Sequence, residues 1–172
     1  ASGSTALMFA AGNGHEALVR VLVEAGAALE TLDSATGATA LMVASDKGYE
    51  QIVRLLVEAG AALDTADSDS GSTALMIAAL NGDVAVVRVL VEAGAALDTV
   101  DSDGDTALSA AQERGHVRVV RLLQLAARQA RRRPPARATS VCPHPSTADV
   151  AAAEEAMAAL LAEEEEEAQQ TT

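Results

Sequence analysis

The clearest pattern in the chain is a short apolar segment that begins with Thr and recurs at nearly constant spacing. Thr5, Thr39 and Thr73 each open the string Thr-Ala-Leu-Met, and Thr106 opens Thr-Ala-Leu-Ser. The intervals between these threonines are 34, 34 and 33 residues. A period of this size is typical of stacked helical units that share one continuous core.

Each repeat is predicted to hold a short helix, a loop and a longer helix. Thr is a favoured N-cap, and a Gly nine residues later ends the short helix because Gly tolerates positive φ. The longer run is apolar at helical spacing, as at Val84, Val87, Leu90 and Val91. Three of these runs end in Glu-Ala-Gly, a C-cap signal. The Asp, Ser and Gly residues at 67–72 indicate a turn that leads into the next repeat.

These units resemble ankyrin repeats. The family's Thr-Pro-Leu-His start corresponds to Thr-Ala-Leu-Met here, its Ala-Ala-x-x-Gly-His to residues 10–15, and its Leu-Leu-x-x-Gly-Ala to residues 56–61. The resemblance implies an all-α fold, an α-solenoid of four stacked repeats with short β-turn fingers. The repeats would span about residues 1–32, 33–66, 67–100 and 101–130.

The sequence departs from the family pattern in ways that carry structural expectations. Met stands in place of the family's His in three copies, so we expect thioether packing that is softer and less directional than a polar network. The family's Asn near the end of each unit is Glu30, Asp64 or Asp98. The turns before Thr39 and Thr73 hold one residue more than the turn before Thr106, which predicts slightly bulged fingers.

The long helices also carry a recurring charge pattern. Arg occurs at positions 20, 54, 88 and 121, and Glu follows the first three of them after four residues. This spacing predicts ion pairs along solvated helix faces, of Arg20 with Glu24, of Arg54 with Glu58 and of Arg88 with Glu92.

The two ends differ from the inner repeats. The first copy lacks its leading finger, so we expect Leu7, Phe9 and Leu18 to be partly uncovered, and the start inside a turn suggests a longer parent protein. The last long helix is expected to continue to the Arg cluster before Pro134. Residues 131–147 are interpreted as an Arg- and Pro-rich linker, and residues 148–172 as an acidic amphipathic helix and tail.

Charge and cysteine content narrow the function. The net charge is −13, and residues 1–130 carry 8 basic and 17 acidic groups, so the repeats are expected to repel nucleic acid and anionic lipid. No apolar run approaches the roughly 20 residues needed to span a bilayer. The single Cys142 excludes an internal disulfide and fits a reducing compartment. We expect an intracellular, cytoplasmic protein, with a nuclear signal as the alternative reading of the basic run from Arg128 to Arg137.

Catalytic and metal chemistry find little support. His15 and His116 occupy the same repeat position, which a structural role explains, and no nucleophile, base and acid recur with a supporting motif. Cys142 and His144 are two ligands where zinc needs about four. The Asp-rich turns echo the start of a calcium loop but lack its Gly and its final Glu. No enzymatic activity, metal or cofactor is therefore expected.

The resemblance also implies which residues would bind a partner. Contacts in this family come from the fingertips and from two variable positions before the mid-repeat Gly. On the matching positions of this sequence these residues are Ala35, Thr36, Ala38, Asp46, Lys47, Asp69, Ser70, Ser72, Leu80, Asn81, Asp103, Asp105, Glu113 and Arg114.

Most of these residues have small side chains, and five of the 14 are acidic against two that are basic, so the set is acidic in net charge. Only its Arg is of a type that dominates interface energetics. We expect a non-enzymatic protein-binding module, monomeric or part of a larger assembly. It would make a salt-sensitive contact of modest affinity with a basic patch or peptide. Two alternatives stay open: a targeting module of a larger enzyme or channel, and a structural spacer that presents the acidic C-terminal helix.

Overall fold

The computed structural model describes residues 5–132 of the 172-residue chain. Within this range the backbone forms helices and turns without a β-strand, as the all-α prediction requires. Residues 133–147 of the expected linker, the expected acidic helix at 148–172, and the pair Cys142 and His144 lie outside the described residues.

The helices alternate between short and longer members in chain order. They are α1 (Ala6–Gly12), α2 (Glu16–Glu24), α3 (Ala40–Asp46), α4 (Glu50–Glu58), α5 (Ala74–Asn81), α6 (Val84–Glu92), α7 (Ala107–Glu113) and α8 (Val117–Arg132). The short helices α1, α3, α5 and α7 pack side by side, and α2, α4, α6 and α8 form a second layer against them. The solenoid prediction is confirmed.

The core runs between the two layers and is built almost entirely from Leu, Val, Ala and Met. Leu41 and Leu75 of the short helices and Leu56 and Leu90 of the longer ones are each at most 2% exposed. Burying a side chain of this size contributes about 1.5–3 kcal/mol. Because the same positions recur in every repeat, each repeat completes the core of its neighbour.

The recurring Thr caps each short helix as predicted, and the Met three residues later has a more directional role than expected. Thr39 Oγ1 accepts from the Met42 N–H at 3.3 Å, and the Thr39 N–H points back to Met42 Sδ at 3.4 Å. Thr5 and Met8 make the same pair of contacts. At these two repeats the sulfur therefore takes the acceptor role of a capping box, which adds a directional contact to the expected thioether packing.

Neighbouring repeats also interlock at the Gly that follows each short helix. Gly82 has φ of 79°, and a Cβ added there would lie 2.6 Å from the His116 ring of the next repeat. His116 Nε2 donates to the Leu80 carbonyl at 3.0 Å across the same junction. Tyr49 covers Gly14 in the equivalent way two junctions earlier. In the second, third and fourth repeats the residue after this Gly thus packs on the preceding repeat, which accounts for His116.

Two of the three acids that stand in place of the family's Asn join consecutive repeats. Glu30 Oε1 accepts from the Ala62 N–H at 2.7 Å, and Asp64 Oδ1 accepts from the Ala96 N–H at 2.8 Å. Both bonds connect residues 32 positions apart in the sequence. A hydrogen bond to a carboxylate is stronger than a neutral one, so these acids help to fix the register of the stack.

The fingers differ in length as the sequence predicts. The Asp33 N–H donates to the Ala38 carbonyl at 2.9 Å and the Asp67 N–H to the Ser72 carbonyl at 3.0 Å, each across five residues. In the third finger the Asp101 N–H donates to the Asp105 carbonyl, across only four. The extra residue therefore widens the first two turns and leaves their closing hydrogen bond intact.

The two predicted ion pairs of Arg20 and Arg54 need correction. Arg20 pairs with Glu16 at 3.0 Å and Arg54 with Glu50 at 2.9 Å, so each pairs with the Glu four residues before it. The expected pairs with Glu24 and Glu58 were wrong.

At the first repeat, Leu7 is buried, because α2 and α3 both pack against α1. The expectation that Leu7 would be partly uncovered was therefore wrong. Phe9 and Leu18 are exposed as expected, at 65% and 44%.

Candidate protein-binding surface

The predicted contact residues lie on the surface, in two sets along the stack. Ala35, Thr36, Asp69, Ser70 and Asp103 are exposed at the fingertips, and Ala38, Ser72 and Asp105 are half-buried there. The second set is exposed where the short helices end: Asp46, Lys47, Leu80, Asn81, Glu113 and Arg114. The fold therefore leaves all of these positions at least partly accessible.

The fingertips are held together by their own hydrogen bonds. Asp67 Oδ1 accepts from the N–H groups of Asp69, Ser70 and Gly71, at 3.1, 2.6 and 3.0 Å. The Ser102 N–H of the following finger donates to the Ser70 carbonyl at 2.9 Å, so the second and third fingers are joined through their backbones.

This turn chemistry separates structural acids from accessible ones. Asp101 Oδ1 accepts from the N–H groups of Asp103 and Asp105 at 3.0 and 2.9 Å, and so repeats the role of Asp67. Asp69, Asp103 and Asp105 contribute their N–H groups to these turns, and none of the hydrogen bonds within residues 5–132 uses their carboxylates. These three carboxylates remain available to a partner.

Two of the predicted contact residues act mainly within the turns. Ser70 Oγ donates to the Asp67 carboxylate at 2.9 Å and accepts from the Ser72 N–H at 3.3 Å. Thr36 Oγ1 makes the equivalent contacts with Asp33 and with the Ala38 N–H. Their hydroxyls are therefore engaged in closing the fingers.

A polar cluster links the ends of α3 and α5. Asn81 Nδ2 donates to the Asp46 carbonyl at 3.1 Å and to its Oδ1 at 3.3 Å, and Lys47 Nζ lies 2.9 Å from Asp46 Oδ2. The hydrogen bond from Lys47 lowers the pKa of Asp46, with a further contribution from Asn81, although partial burial opposes the shift. The same contact raises the pKa of Lys47. Asp46 is thus already neutralised locally and offers less charge to a partner than the fingertip acids do.

One exposed aromatic was not part of the predicted set. Phe9 on α1 is the repeat equivalent of Val43 and Ile77, which are both half-buried. This position is recognisable in the sequence, since an aromatic stands where the other repeats have aliphatic or small residues.

Neither a metal site nor a membrane span is found in the part of the chain that the structure describes. No three His, Cys, Asp or Glu side chains within residues 5–132 are grouped so that they could hold a metal ion. In the Asp-rich turns, backbone N–H groups occupy Oδ1 of both Asp67 and Asp101. No helix in this range is long and apolar enough to cross a bilayer.

Comparison with known proteins agrees with the geometry of the stack. A family model described as ankyrin repeats (3 copies) matches residues 1–67 and 61–131, which together cover most of the chain. Among curated proteins, none matches this sequence. The repeat period, the paired helices in two layers and this match lead to one conclusion: the chain belongs to the ankyrin repeat family.

Proposed function

We propose that this chain is a non-enzymatic protein-interaction module that binds a basic peptide or a basic patch of another protein. Ankyrin repeats are generally protein-binding modules, and the family is typically without enzymatic activity. The finer proposal, a partner selected by positive charge, rests on the accessible fingertip carboxylates.

The observation that carries the proposal is the contrast between two groups of fingertip acids. Asp67 and Asp101 use their carboxylates to close turns, whereas Asp69, Asp103 and Asp105 do not. The backbone bond from Ser102 to Ser70 joins the second and third fingers, which carry these three acids. A partner would therefore meet a preformed row of negative charge on a rigid backbone.

The expected strength of such a contact is modest. Exposed ion pairs are typically worth about 0.2–1 kcal/mol each and are screened by salt. Charge on an interface rim acts mainly on the association rate and on the choice of partner. The proposal therefore predicts steep salt dependence together with limited affinity.

The experiment is to change Asp69, Asp103 and Asp105 together to Asn in the full chain. A partner captured by affinity purification is then titrated at several salt concentrations between about 50 and 200 mM. We expect the triple variant to lose most of the salt dependence and to associate about tenfold more slowly, as expected when electrostatic steering is removed.

A matched control removes the same charge elsewhere. Glu24→Gln, Glu58→Gln and Asp98→Asn together neutralise three exposed acids away from the fingertips. This variant should retain the wild-type salt dependence. If the fingertip variant behaves like this control, the partner is not recognised by fingertip charge, and the proposal fails.

We also propose a cytoplasmic location, on the basis of the single Cys and the acidic composition. The basic run from Arg128 to Arg137 is the alternative, as a nuclear signal. A fluorescent fusion of the full chain distinguishes the two, since changing the five Arg residues of this run to Gln would abolish nuclear accumulation only under the alternative.

A further inference from the structure

The helices of the second layer change in charge along the stack. Helices α2 and α4 each carry one Arg and two Glu, and α6 carries one Arg and one Glu. Helix α8 carries five Arg and no acid. The net charge of these four helices is therefore −1, −1, 0 and +5 in chain order, on a chain whose net charge is −13. The last helix is thus a local region of positive charge on an acidic protein.

Three of these Arg residues lie on the exposed side of α8. Val119, Leu122 and Leu123 are buried where α8 packs against α6 and α7. The opposite side of the helix exposes the three residues that form the Arg face: Arg118, Arg121 and Arg128. Their spacing of three and seven residues places them along one side of a helix. Within residues 5–132, no hydrogen bond or ion pair uses the guanidinium of Arg118 or Arg128.

The stability of α8 accounts for only one of the three. Cations stabilise a helix near its C-terminus and destabilise it near its N-terminus, because of the helix dipole. Arg128 lies in the C-terminal half of α8, where its charge is favourable. Arg118 and Arg121 lie within the first five residues of the helix, where their charge opposes the dipole. These two positions therefore favour a role in binding over a role in stability.

The start of α8 also lacks the acid that begins α2 and α4. Glu16 pairs with Arg20 at 3.0 Å, and Glu50 pairs with Arg54 at 2.9 Å. Val117 occupies the equivalent position in the last repeat. The sequence thus balances the Arg of the first two repeats with a Glu of the same helix and omits that Glu from the last one.

We propose that the Arg face binds an acidic segment of a partner protein. The distance along the helix from Arg118 to Arg128 is about 15 Å, so the segment would carry several Asp or Glu side chains within this length. Arg suits such a ligand, because its guanidinium can donate two parallel hydrogen bonds to one carboxylate. The Arg face is separate from the acidic fingertips and opposite in charge, so this second contact goes beyond the function proposed above.

The neighbouring charges favour a short acidic segment over a larger polyanion. Helices α2, α4, α6 and α8 lie side by side in one layer, and Glu24 and Glu58 are exposed at the ends of α2 and α4. A nucleic acid or an anionic bilayer that lay along this layer would meet these acids and be repelled. A segment about as long as the Arg face can be confined to α8.

The experiment titrates the full chain into a fluorescein-labelled decapeptide of six Glu and four Ala residues, at about 50 mM salt, and follows fluorescence anisotropy. Arg118→Gln, Arg121→Gln and Arg128→Gln together should weaken binding about tenfold, as expected for the loss of three exposed ion pairs. Gln is nearly as good a helix former as Arg, so the circular dichroism spectrum should be unchanged.

A matched control removes the same charge elsewhere. Arg20→Gln, Lys47→Gln and Arg54→Gln together should weaken binding less than about twofold, because these residues already pair with acids of the chain. An equal loss in both variants would overturn the proposal, since the peptide would then respond only to net charge. A natural chain that does not bind the peptide would overturn it as well. The fingertip variant of Asp69, Asp103 and Asp105 should bind the peptide at least as well as the natural chain, so the two proposals can fail separately.

Three further measurements test other occupants of the Arg face. A ten-residue oligothymidylate and vesicles of phosphatidylserine and phosphatidylcholine should bind more weakly than the peptide, and tighter binding that the Arg substitutions abolish would refute the choice of a protein ligand. Replacing Glu163 to Glu167 by Gln should leave the peptide affinity unchanged, whereas a clear gain would mean that the chain's own acidic run occupies the face. Analytical ultracentrifugation should show no dimer that the Arg substitutions dissociate, because such a dimer would make a second copy the occupant and contradict the proposal.

Discussion

Replacing Ser45 by Ala should stabilise the repeat stack, although the change removes a polar group. Ser45 lies on α3 and is fully buried. Its Oγ has no hydrogen-bond partner within the described residues. The equivalent positions in the first and third repeats, Ala11 and Ala79, are also fully buried and carry Ala, whereas the fourth repeat has the exposed Gln112. The site therefore accommodates Ala without any rearrangement of the backbone.

The magnitude follows from the desolvation of the hydroxyl. A buried polar group without a partner costs about 1–3 kcal/mol. Ala also has a higher helix propensity than Ser, by up to about 0.7 kcal/mol. The loss of Oγ packing opposes both contributions, so we expect a net gain of about 1 kcal/mol. With a urea m-value of about 2 kcal/mol/M, the midpoint should rise by roughly 0.5 M.

Urea unfolding followed by circular dichroism at 222 nm measures this shift. The reciprocal variant Ala79→Ser introduces a hydroxyl at the equivalent buried position of the third repeat and should lower the midpoint by a similar amount. Ala17→Ser on the exposed side of α2 is the control, since it changes helix propensity without burial. It should cost only a few tenths of a kcal/mol.

The reasoning would be refuted by a Ser45→Ala variant of unchanged or reduced stability. That result would mean that the hydroxyl is hydrogen-bonded in solution, for example to the carbonyl four residues earlier in α3. Equal losses in Ala79→Ser and Ala17→Ser would lead to the same conclusion, because burial of the hydroxyl would then cost nothing beyond propensity.

Two further predictions concern the repeat junctions. Gly82→Ala should cost about 2–4 kcal/mol in urea unfolding, because φ is positive and the new Cβ would meet the His116 ring. Gly26→Ala, with a similar φ and open space, should cost only about 1–2 kcal/mol, and equal losses would contradict the packing argument. Lys47→Met should raise the pKa of Asp46 toward its ordinary value, as followed by NMR titration, since Lys47 is the main cause of its depression. Because the pKa of Asp46 is lowered in the folded state, its ionised carboxylate stabilises the fold at pH values above its ordinary pKa, and this stabilisation is lost as the pH falls through the lowered pKa. Lys47→Met reduces this contribution, so the stability of the variant should depend less on pH in the acidic range.

The helices and their ends could be predicted from the sequence because their signals are local. A capping Thr, a Gly that accepts positive φ and an apolar period each act within one repeat, and four copies agree on them. The lengths of the fingers were predictable for the same reason, since the extra residue before Thr39 and Thr73 is visible in the spacing.

The features that could not be predicted depend on which of several nearby groups a side chain bonds. Arg54 has a Glu four residues away on either side, and only the three-dimensional arrangement shows that it bonds Glu50. The third repeat has Val84 where the first two have Glu16 and Glu50, and there the buried Nε of Arg88 has no hydrogen-bond partner in the described chain. The unpartnered hydroxyl of Ser45 is invisible in the sequence, because Ser often bonds its own helix backbone.

The acidic composition of the repeats is divided between two physical roles, and this division bears on recognition. Glu30 and Asp64 hold neighbouring repeats together, and Asp67 and Asp101 close the fingers, each through backbone N–H groups at hydrogen-bond distance. Contacts this short are weakly screened, whereas the exposed carboxylates of the fingertips would interact with the proposed basic partner over distances at which salt is effective. Net charge alone therefore overstates the charge available for binding, and the stack can keep its fold at ionic strengths that weaken its contacts. The selectivity of this chain would then depend on the few fingertip carboxylates that accept no hydrogen bond from its own backbone.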